Sequence, residues 1–214
     1  QYVVVNLVGQ AISVGTPPAY NPATPDQNVR TETVNDDAGN PIATIDTLGM
    51  ITRMYYDANN RPETLVQNLV GQPISSTTPT AGYPAFPYSN LRTDTAYDEN
   101  GNAIATTDPL GIITRTYFDA LNRPEYVVQN LIGQGISVGT PPAYDPAFPD
   151  RNVRTQYVYD NAGNPIASID TNGVINRTYY DDANRPTDVV QNLVGQGIGV
   201  ITPPAYNPAF PDQN

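Results

Sequence analysis

The chain has 214 residues and a net charge of −11, with ten Arg and no Lys, His, Cys or Trp. Binding to nucleic-acid phosphates or to an anionic membrane surface is disfavoured, because both depend on clustered basic residues. Without His, Cys or Lys there is no Ser-His or Cys-His relay, no imidazole or thiolate metal site and no Schiff base, so we predict neither an enzyme nor a cofactor.

The residues recur with a period of 62 along the whole chain. This spacing separates Asn6, Asn68, Asn130 and Asn192, and also Gly9, Gly71, Gly133 and Gly195. A period kept this regularly indicates a tandem-repeat architecture. We therefore predict one continuous array with repeats at 1–62, 63–124 and 125–186 and a partial fourth repeat at 187–214. We expect it to be a segment of a longer chain.

Within a period, turn signals alternate with short β-prone segments. In the second period the turn signals are DENG (98–101), DPLG (108–111), DALNR (119–123) and NLIG (130–133). Asp or Asn at the first turn position bonds its own backbone, and Gly at the fourth accepts a positive φ. The glycines assigned to turns are Gly49, Gly111 and Gly173, and Gly71, Gly133 and Gly195.

The segments between these turns favour strands over helices. AIATT, IITRTYF, PEYVVQ and GISVG are short and rich in Ile, Val, Thr and Tyr, which suit a pleated surface. We predict an all-β fold with about five strands per period. It would be a tandem-repeat antiparallel meander coiled into a spiral or solenoid-like rod, with a Pro-rich arm once per repeat.

The arms are Pro-rich stretches at 12–30, 74–92, 136–154 and 198–214. Proline lacks the N–H that a strand ladder needs, so these stretches are not central strands. An arm could cover an edge or a face of the sheet, reach a neighbouring repeat or subunit, or present an epitope. Candidate glycosylation positions are Thr16, Thr140 and Thr202 for O-glycans and Asn176 for an N-glycan.

An Asp and an Arg four residues apart recur once per period. The pairs are Asp57 with Arg61, Asp119 with Arg123, and Asp181 with Arg185. We interpret each as an Asx-type turn whose Asp pairs with the Arg, since a catalytic carboxylate also needs a partner and a pocket. The densest acidic pairs do not occupy the same place in every period, and we predict no metal site.

Tyrosines also recur at matching positions. Tyr55, Tyr117 and Tyr179 are each followed by another aromatic residue. Copies on neighbouring turns of a sheet would stack as an aromatic ladder, because cross-strand aromatic pairs stabilise sheets. Stacking on sugars or bases is the alternative interpretation.

The stretch DPLGIITRTYFDALNRPEYVV (108–128) resembles the YD repeat of Rhs proteins, Tc-type insecticidal toxin shells and teneurins. The resemblance extends over the units that begin at Tyr97-Asp98, Phe118-Asp119, Tyr159-Asp160 and Tyr180-Asp181. The first period departs from it, with Asn35-Asp36, and the Pro-rich arm is not part of the pattern. The resemblance implies antiparallel strands wound into a spiral, which closes into a hollow shell in the toxins.

One large unit copied almost verbatim repeats the same rotation and rise, which generates a helix or rod rather than a closed container. We therefore predict a structural protein of an extracellular or cell-surface filament. The alternatives are a segment of a toxin-encapsulating β-shell and a glycan-binding surface adhesin. The expected partner is the protein itself, as neighbouring repeats or subunits, and glycans are a further candidate. No nucleic acid and no membrane span are predicted, since no stretch approaches ~20 apolar residues.

Overall fold

The structure, a computed structural model, describes residues 1–10, 15–81, 88–206 and 208–209. These residues form thirteen strands and no helix. Accordingly, none of the described residues lies in a helix that is long and apolar enough to cross a membrane. The predicted all-β antiparallel meander is confirmed, whereas its coiling into a spiral or rod stays a prediction.

Parts of the predicted arms, at 11–14, 82–87, 207 and 210–214, lie outside the described residues. The chain divides into two compact units. The first comprises 1–96 with 107–111, and the second comprises 97–106 with 112–214.

In the first unit, consecutive strands are neighbours and pair antiparallel. They are β1 (Tyr2–Val5), β2 (Val29–Asn35), β3 (Pro41–Ile45), β4 (Ile51–Tyr56), β5 (Pro62–Gln67) and β6 (Leu91–Tyr97), whose last residue belongs to the second unit.

The second unit repeats this arrangement. Its strands are β7 (Ala103–Thr107), whose last residue belongs to the first unit, β8 (Ile113–Phe118), β9 (Pro124–Gln129), β10 (Val153–Tyr159), β11 (Pro165–Ile169), β12 (Ile175–Tyr180) and β13 (Pro186–Val190).

Each period therefore has four strands among its described residues, and the prediction of about five is wrong for the third period, 125–186, which is described throughout. The segment GISVG, residues 135–139, forms a turn in which the Val138 amide donates to the Gly135 carbonyl at 3.2 Å. Its β-prone residues do not pair with a strand, because Ile136 packs against a buried cluster on the sheet instead.

The short connections are hairpin turns with one shared geometry. In the turn after β3, the Gly49 amide donates to the Asp46 carbonyl at 3.0 Å and Gly49 has a φ of 82°. Asn60 takes the same place in the turn after β4, with a φ of 62°. A type I turn followed by one left-handed residue closes a hairpin, and Gly and Asn are the residues that adopt this conformation most readily.

The first three long arms leave and re-enter the sheet through a pair of asparagines. At the arm after β9, the Asn152 amide donates to the Asn130 carbonyl at 3.0 Å, and both residues have a φ near 50°. The Asn152 side chain accepts from the Ile132 amide at 2.8 Å. This pairing closes the base of the arm and lets β10 continue the sheet beside β9.

Small buried clusters form on one face of the sheet, one per period. In the second unit, one contains Tyr117, Val128 and Leu131, and another is built around Tyr179. The predicted aromatic ladder is wrong for these two tyrosines, because three strands lie between β8 and β12. Four strand spacings amount to ~19 Å, far beyond ring contact.

Candidate functional site: the arginine cluster of each repeat

The most buried charged group of the second repeat is Arg115 on β8, with only 6% of its surface exposed. Its Nε donates to the carbonyl oxygen of Ile136 in the arm at 2.8 Å, and its Nη1 donates to that of Ile104 on β7 at 2.9 Å. Nη1 also donates to the Thr116 carbonyl. The guanidinium lies 4.6 Å from the ring centroid of Tyr117, a cation–π contact.

The tyrosine hydroxyl continues this contact into the arm. Gln134 Nε2 donates to the Tyr117 hydroxyl at 2.8 Å and to the Thr140 carbonyl at 2.7 Å. We call Arg115, Tyr117, Gln134 and Ile136, with their equivalents one period before and after, the arginine cluster. The cluster fastens the first half of the arm onto the face of the sheet.

The arginine cluster recurs in the other two repeats. The equivalent donors and carbonyl acceptors are Arg53 with Ile74 and Ile42 (both 2.8 Å) and Arg177 with Ile198 (3.0 Å) and Ile166 (2.8 Å). The guanidinium-to-ring distances are 4.5 Å for Arg53 with Tyr55 and 4.7 Å for Arg177 with Tyr179. Gln72 and Gln196 accept from these tyrosines at 3.4 and 3.2 Å.

Backbone dipoles, rather than a carboxylate, accept the hydrogen bonds of Arg115. Burial lowers the pKa of Arg115, and the charges of Tyr117 and Asp98 act in the opposite direction. Burial raises the pKa of Tyr117, with Arg115 opposing the shift. The phenol thus stays neutral and serves as a hydrogen-bonding group rather than a nucleophile, so the cluster holds the chain together and offers no activated group.

The predicted Asp–Arg pairs lie in the hairpin turns, away from the arginine cluster. Asp119 Oδ1 accepts from the backbone amides of Leu121 and Arg123 at 2.9 Å each, and Oδ2 accepts from Arg123 Nε at 2.7 Å. The same ion pair at 2.7 Å joins Asp57 to Arg61 and Asp181 to Arg185. Since both of its carboxylate oxygens accept hydrogen bonds from residues of the turn, Asp119 stabilises the local turn conformation.

These hydrogen bonds predict how stability depends on pH. The backbone and side chain of Arg123 lower the pKa of Asp119, and equivalent bonds lower that of Asp57 and Asp181. A lowered folded-state pKa contributes stability above the unfolded-state pKa, about 3.9, that is lost as pH falls through the folded value. We expect the free energy of unfolding to be flat from neutral pH to about pH 5 and to fall below about pH 4.

Denaturant unfolding at a series of pH values measures this dependence. The variant D119N keeps an oxygen acceptor for the two backbone amides but carries no charge, so its curve should fall less steeply in acid. If the free energy of unfolding of D119N fell as steeply in acid as that of the original protein, other carboxylates would be responsible for the loss of stability.

The candidate glycosylation positions are exposed. Thr16, Thr140 and Thr202 lie in the arms, and their carbonyl oxygens accept from glutamine side chains at 2.6 to 2.7 Å. Asn176 lies on β12, and its Oδ1 accepts from the Asn192 amide at 3.4 Å. Modification of these residues stays a prediction.

Sequence reasoning missed the arginines of the cluster as functional residues. Their position along the strand could have revealed them. Arg115 lies on the same strand face as Ile113 and Tyr117, and an arginine recurs there every 62 residues. An arginine facing the apolar side of a strand needs partners that share its burial.

Among the described residues, no group of three or more acidic side chains could hold a metal ion.

Comparisons with known proteins agree with a fold of repeated antiparallel strands. The RHS repeat family matches residues 97–128. No curated protein sequence matches the chain.

Among solved structures, the chain is similar to the Tc holotoxin pore of Photorhabdus luminescens, with 14% identity, a TM-score of 0.52, and coverage of 76% of this chain and 7% of that one. It is also similar to a crystal structure of TcdB2-TccC3, with 19% identity, a TM-score of 0.51, and coverage of 78% and 8%. The chain thus spans less than a tenth of these chains. At such identities the similarity shows the fold alone. Residues 97–128 match the RHS repeat family, and the turns and strands of the other repeats resemble the same YD-repeat pattern.

Proposed function

We propose that the chain is a structural segment of an extracellular or cell-surface filament or rod built from consecutive repeats. One observation carries the proposal: the arginine cluster recurs in all three repeats with the same acceptors and ring contacts. Each cluster joins a strand of one repeat to the arm of the next, and neighbouring repeats joined by equivalent contacts relate to one another by equivalent rotations and rises. Such a repeated transformation extends a helix or rod rather than closing a container.

The proposed role is mechanical and needs no catalysis. The recurring polar residues are engaged in turns and in arm attachment, and burial keeps Tyr117 neutral. The acidic net charge of −11 keeps such a polymer soluble and disfavours contact with nucleic acid.

The second candidate is a segment of a toxin-encapsulating β-shell. The similarity to TcdB2-TccC3 favours it, and one of the similar structures is that complex without its hypervariable C-terminal region, with 18% identity and a TM-score of 0.50. In that case the partners would be other toxin subunits. The shells implied by the family resemblance depend on varied repeats, whereas the repeats of this chain keep one 62-residue spacing without a gap.

Cryo-electron microscopy of the native full-length material distinguishes the two candidates. Uniform rods with an axial repeat tied to the 62-residue period would support the filament. Hollow closed particles with density inside would overturn it in favour of the shell.

The positions of the arginines also predict where trypsin first cuts the native protein. Three arginines precede proline, whose ring blocks cleavage, and six lie within strands. Of the exposed arginines in described loops, Arg151 and Arg185, only Arg151 is not followed by proline. We expect native protein to be cut first after Arg151, because a protease needs an accessible, extended backbone.

Mass spectrometry of timed digests identifies the first cut. The matched control is R151Q, since Gln27 occupies the equivalent position two periods earlier. R151Q should resist trypsin under the same conditions. Early cleavage of R151Q within β4, β8 or β12 would contradict the protection expected of the strands.

A further inference from the structure

A cavity of about 500 Å³ lies between the sheet of the first repeat and the arm that follows it. Its floor includes Ile42 and Tyr56, its rim carries Asp37, and the arm side contributes Ser75 and Thr77. Asp37, Ser75 and Thr77 are exposed, so the cavity opens to solvent.

An equivalent cavity of about 280 Å³ recurs in the third repeat. Ile166 and Tyr180 take the places of Ile42 and Tyr56, and Asn161 takes that of Asp37. On the arm side the lining is Gly199 and Ile201, which makes this cavity smaller and less polar. The same position in two repeats thus offers two tyrosine side chains, an arginine, an isoleucine and a polar rim.

The tyrosine of each cavity is held in a fixed orientation. The Tyr56 hydroxyl donates to the Pro41 carbonyl at 3.0 Å, and the Tyr180 hydroxyl donates to the Pro165 carbonyl at 3.2 Å. A hydroxyl that donates once still has oxygen lone pairs to accept a bond from a ligand. The ring therefore presents an aromatic face in a fixed orientation, and its hydroxyl oxygen can accept a hydrogen bond from a ligand.

The chemistry of the lining selects the class of ligand. An aromatic and an aliphatic surface match the C–H faces of a pyranose ring, and the rim carboxylate, amide and hydroxyls match its hydroxyl groups. A proline-rich peptide fits the aromatic ring, but its prolines lack N–H groups, so it offers fewer donors to Asp37 than a sugar with several hydroxyls. Asp36 and Asp37 outweigh Arg53 in the first cavity, whose net negative lining disfavours anionic ligands, whereas Asp160 and Arg177 leave the other lining neutral.

We propose that the cavities at Tyr56 and Tyr180 each bind one hexopyranose residue of a neutral oligosaccharide. The cavity at Tyr56 binds more tightly, because Ser75 and Thr77 add two hydroxyls that the other cavity lacks. This binding is independent of the filament proposed above, so either can fail without the other.

The test uses the whole chain on an array of neutral glucose-, galactose- and mannose-based oligosaccharides, followed by titration calorimetry with the best of them. The double variant Y56F/Y180F removes both hydroxyls and keeps the rings. It should fold normally, because Phe118 already occupies the equivalent position and keeps the same register with Pro124 that Tyr56 has with Pro62. Loss of one hydrogen bond at each site should weaken affinity about tenfold.

The matched control is Y159F. The Tyr159 hydroxyl donates to the Pro124 carbonyl at 2.9 Å, the same kind of bond, but Tyr159 does not line the third-repeat cavity. Y159F should bind like the original chain, while Y56A/Y180A should abolish binding.

Binding of neutral oligosaccharides with this ranking of variants supports the proposal. It is overturned if no neutral oligosaccharide binds at millimolar concentration, or if only sialylated or sulfated glycans bind. It is equally overturned if Y56F/Y180F and Y56A/Y180A bind like the original chain, or if a peptide of residues 140–149 binds in place of sugars.

Discussion

The variant R115M should lower the free energy of unfolding by about 3 kcal/mol. Methionine fills most of the volume of the arginine but leaves the carbonyls of Ile136, Ile104 and Thr116 without the donors they have in the folded protein. Each buried acceptor that loses its partner costs about 1–3 kcal/mol. Removing a desolvated guanidinium offsets part of this cost, so the expected loss is below the full sum.

Urea unfolding followed by circular dichroism measures the loss, and hydrogen exchange locates it. Amides of the arm around Ile136 should exchange faster in R115M than in the original protein. The matched control is R185M, because Arg185 pairs with Asp181 while 77% of its side chain is exposed, and such pairs contribute less than about 1 kcal/mol.

The variant R115K separates charge from geometry. Lysine keeps the positive charge but lacks the planar fork that reaches the Ile136 and Ile104 carbonyls at the same time. We expect R115K to be destabilised nearly as much as R115M. Full stability in either variant would show that the cluster does not fasten the arm.

The fold class was predictable because its determinants are local. Asp108 and Gly111 occupy the first and fourth positions of one turn, and the Gly111 amide donates to the Asp108 carbonyl at 2.9 Å. The signal lies within four residues, and the 62-residue period repeats it. The β-branched residues between turns then favour strands, which the hairpins pair with their neighbours.

The path of the arm was not predictable from local sequence. GISVG has the composition of a strand, but the burial of Ile136 and the hydrogen bond from Arg115 to its carbonyl, 21 residues away, decide its structure. Tertiary contacts of this kind override β-propensity. A repeat with five ladder-forming segments was therefore expected, and a repeat with four is observed.

The candidate site was hidden for a related reason. Arg123 attracts attention because Asp119 is four residues away, whereas Arg115 has Thr114 and Thr116 as neighbours and no acidic residue beside it. Its acceptors are carbonyl oxygens, which every residue carries and no motif marks. Only the strand register, which places Arg115 on the face of Tyr117, distinguishes the buried Arg115 from the half-buried Arg123.

The variant L131A should lower the free energy of unfolding by about 2–5 kcal/mol. Leu131 lies between β9 and the arm, is only 3% exposed, and packs with Tyr117 and Val128. Its amide also donates to the Ile113 carbonyl at 2.9 Å, so the backbone cannot easily move to fill the cavity that alanine leaves. Urea unfolding measures the change.

The matched control for this cavity is L121A. Leu121 lies in a hairpin turn with 71% of its surface exposed, so L121A should change the free energy of unfolding by less than about 0.5 kcal/mol.

Leu131 and Arg115 hold the same arm by different means, one through apolar packing and one through carbonyl hydrogen bonds. If both act on the arm as a unit, the double variant R115M/L131A should lose less than the sum of the two single losses, because the arm released by one change has less left to lose. Strict additivity would instead mean that the two contacts stabilise separate parts of the repeat.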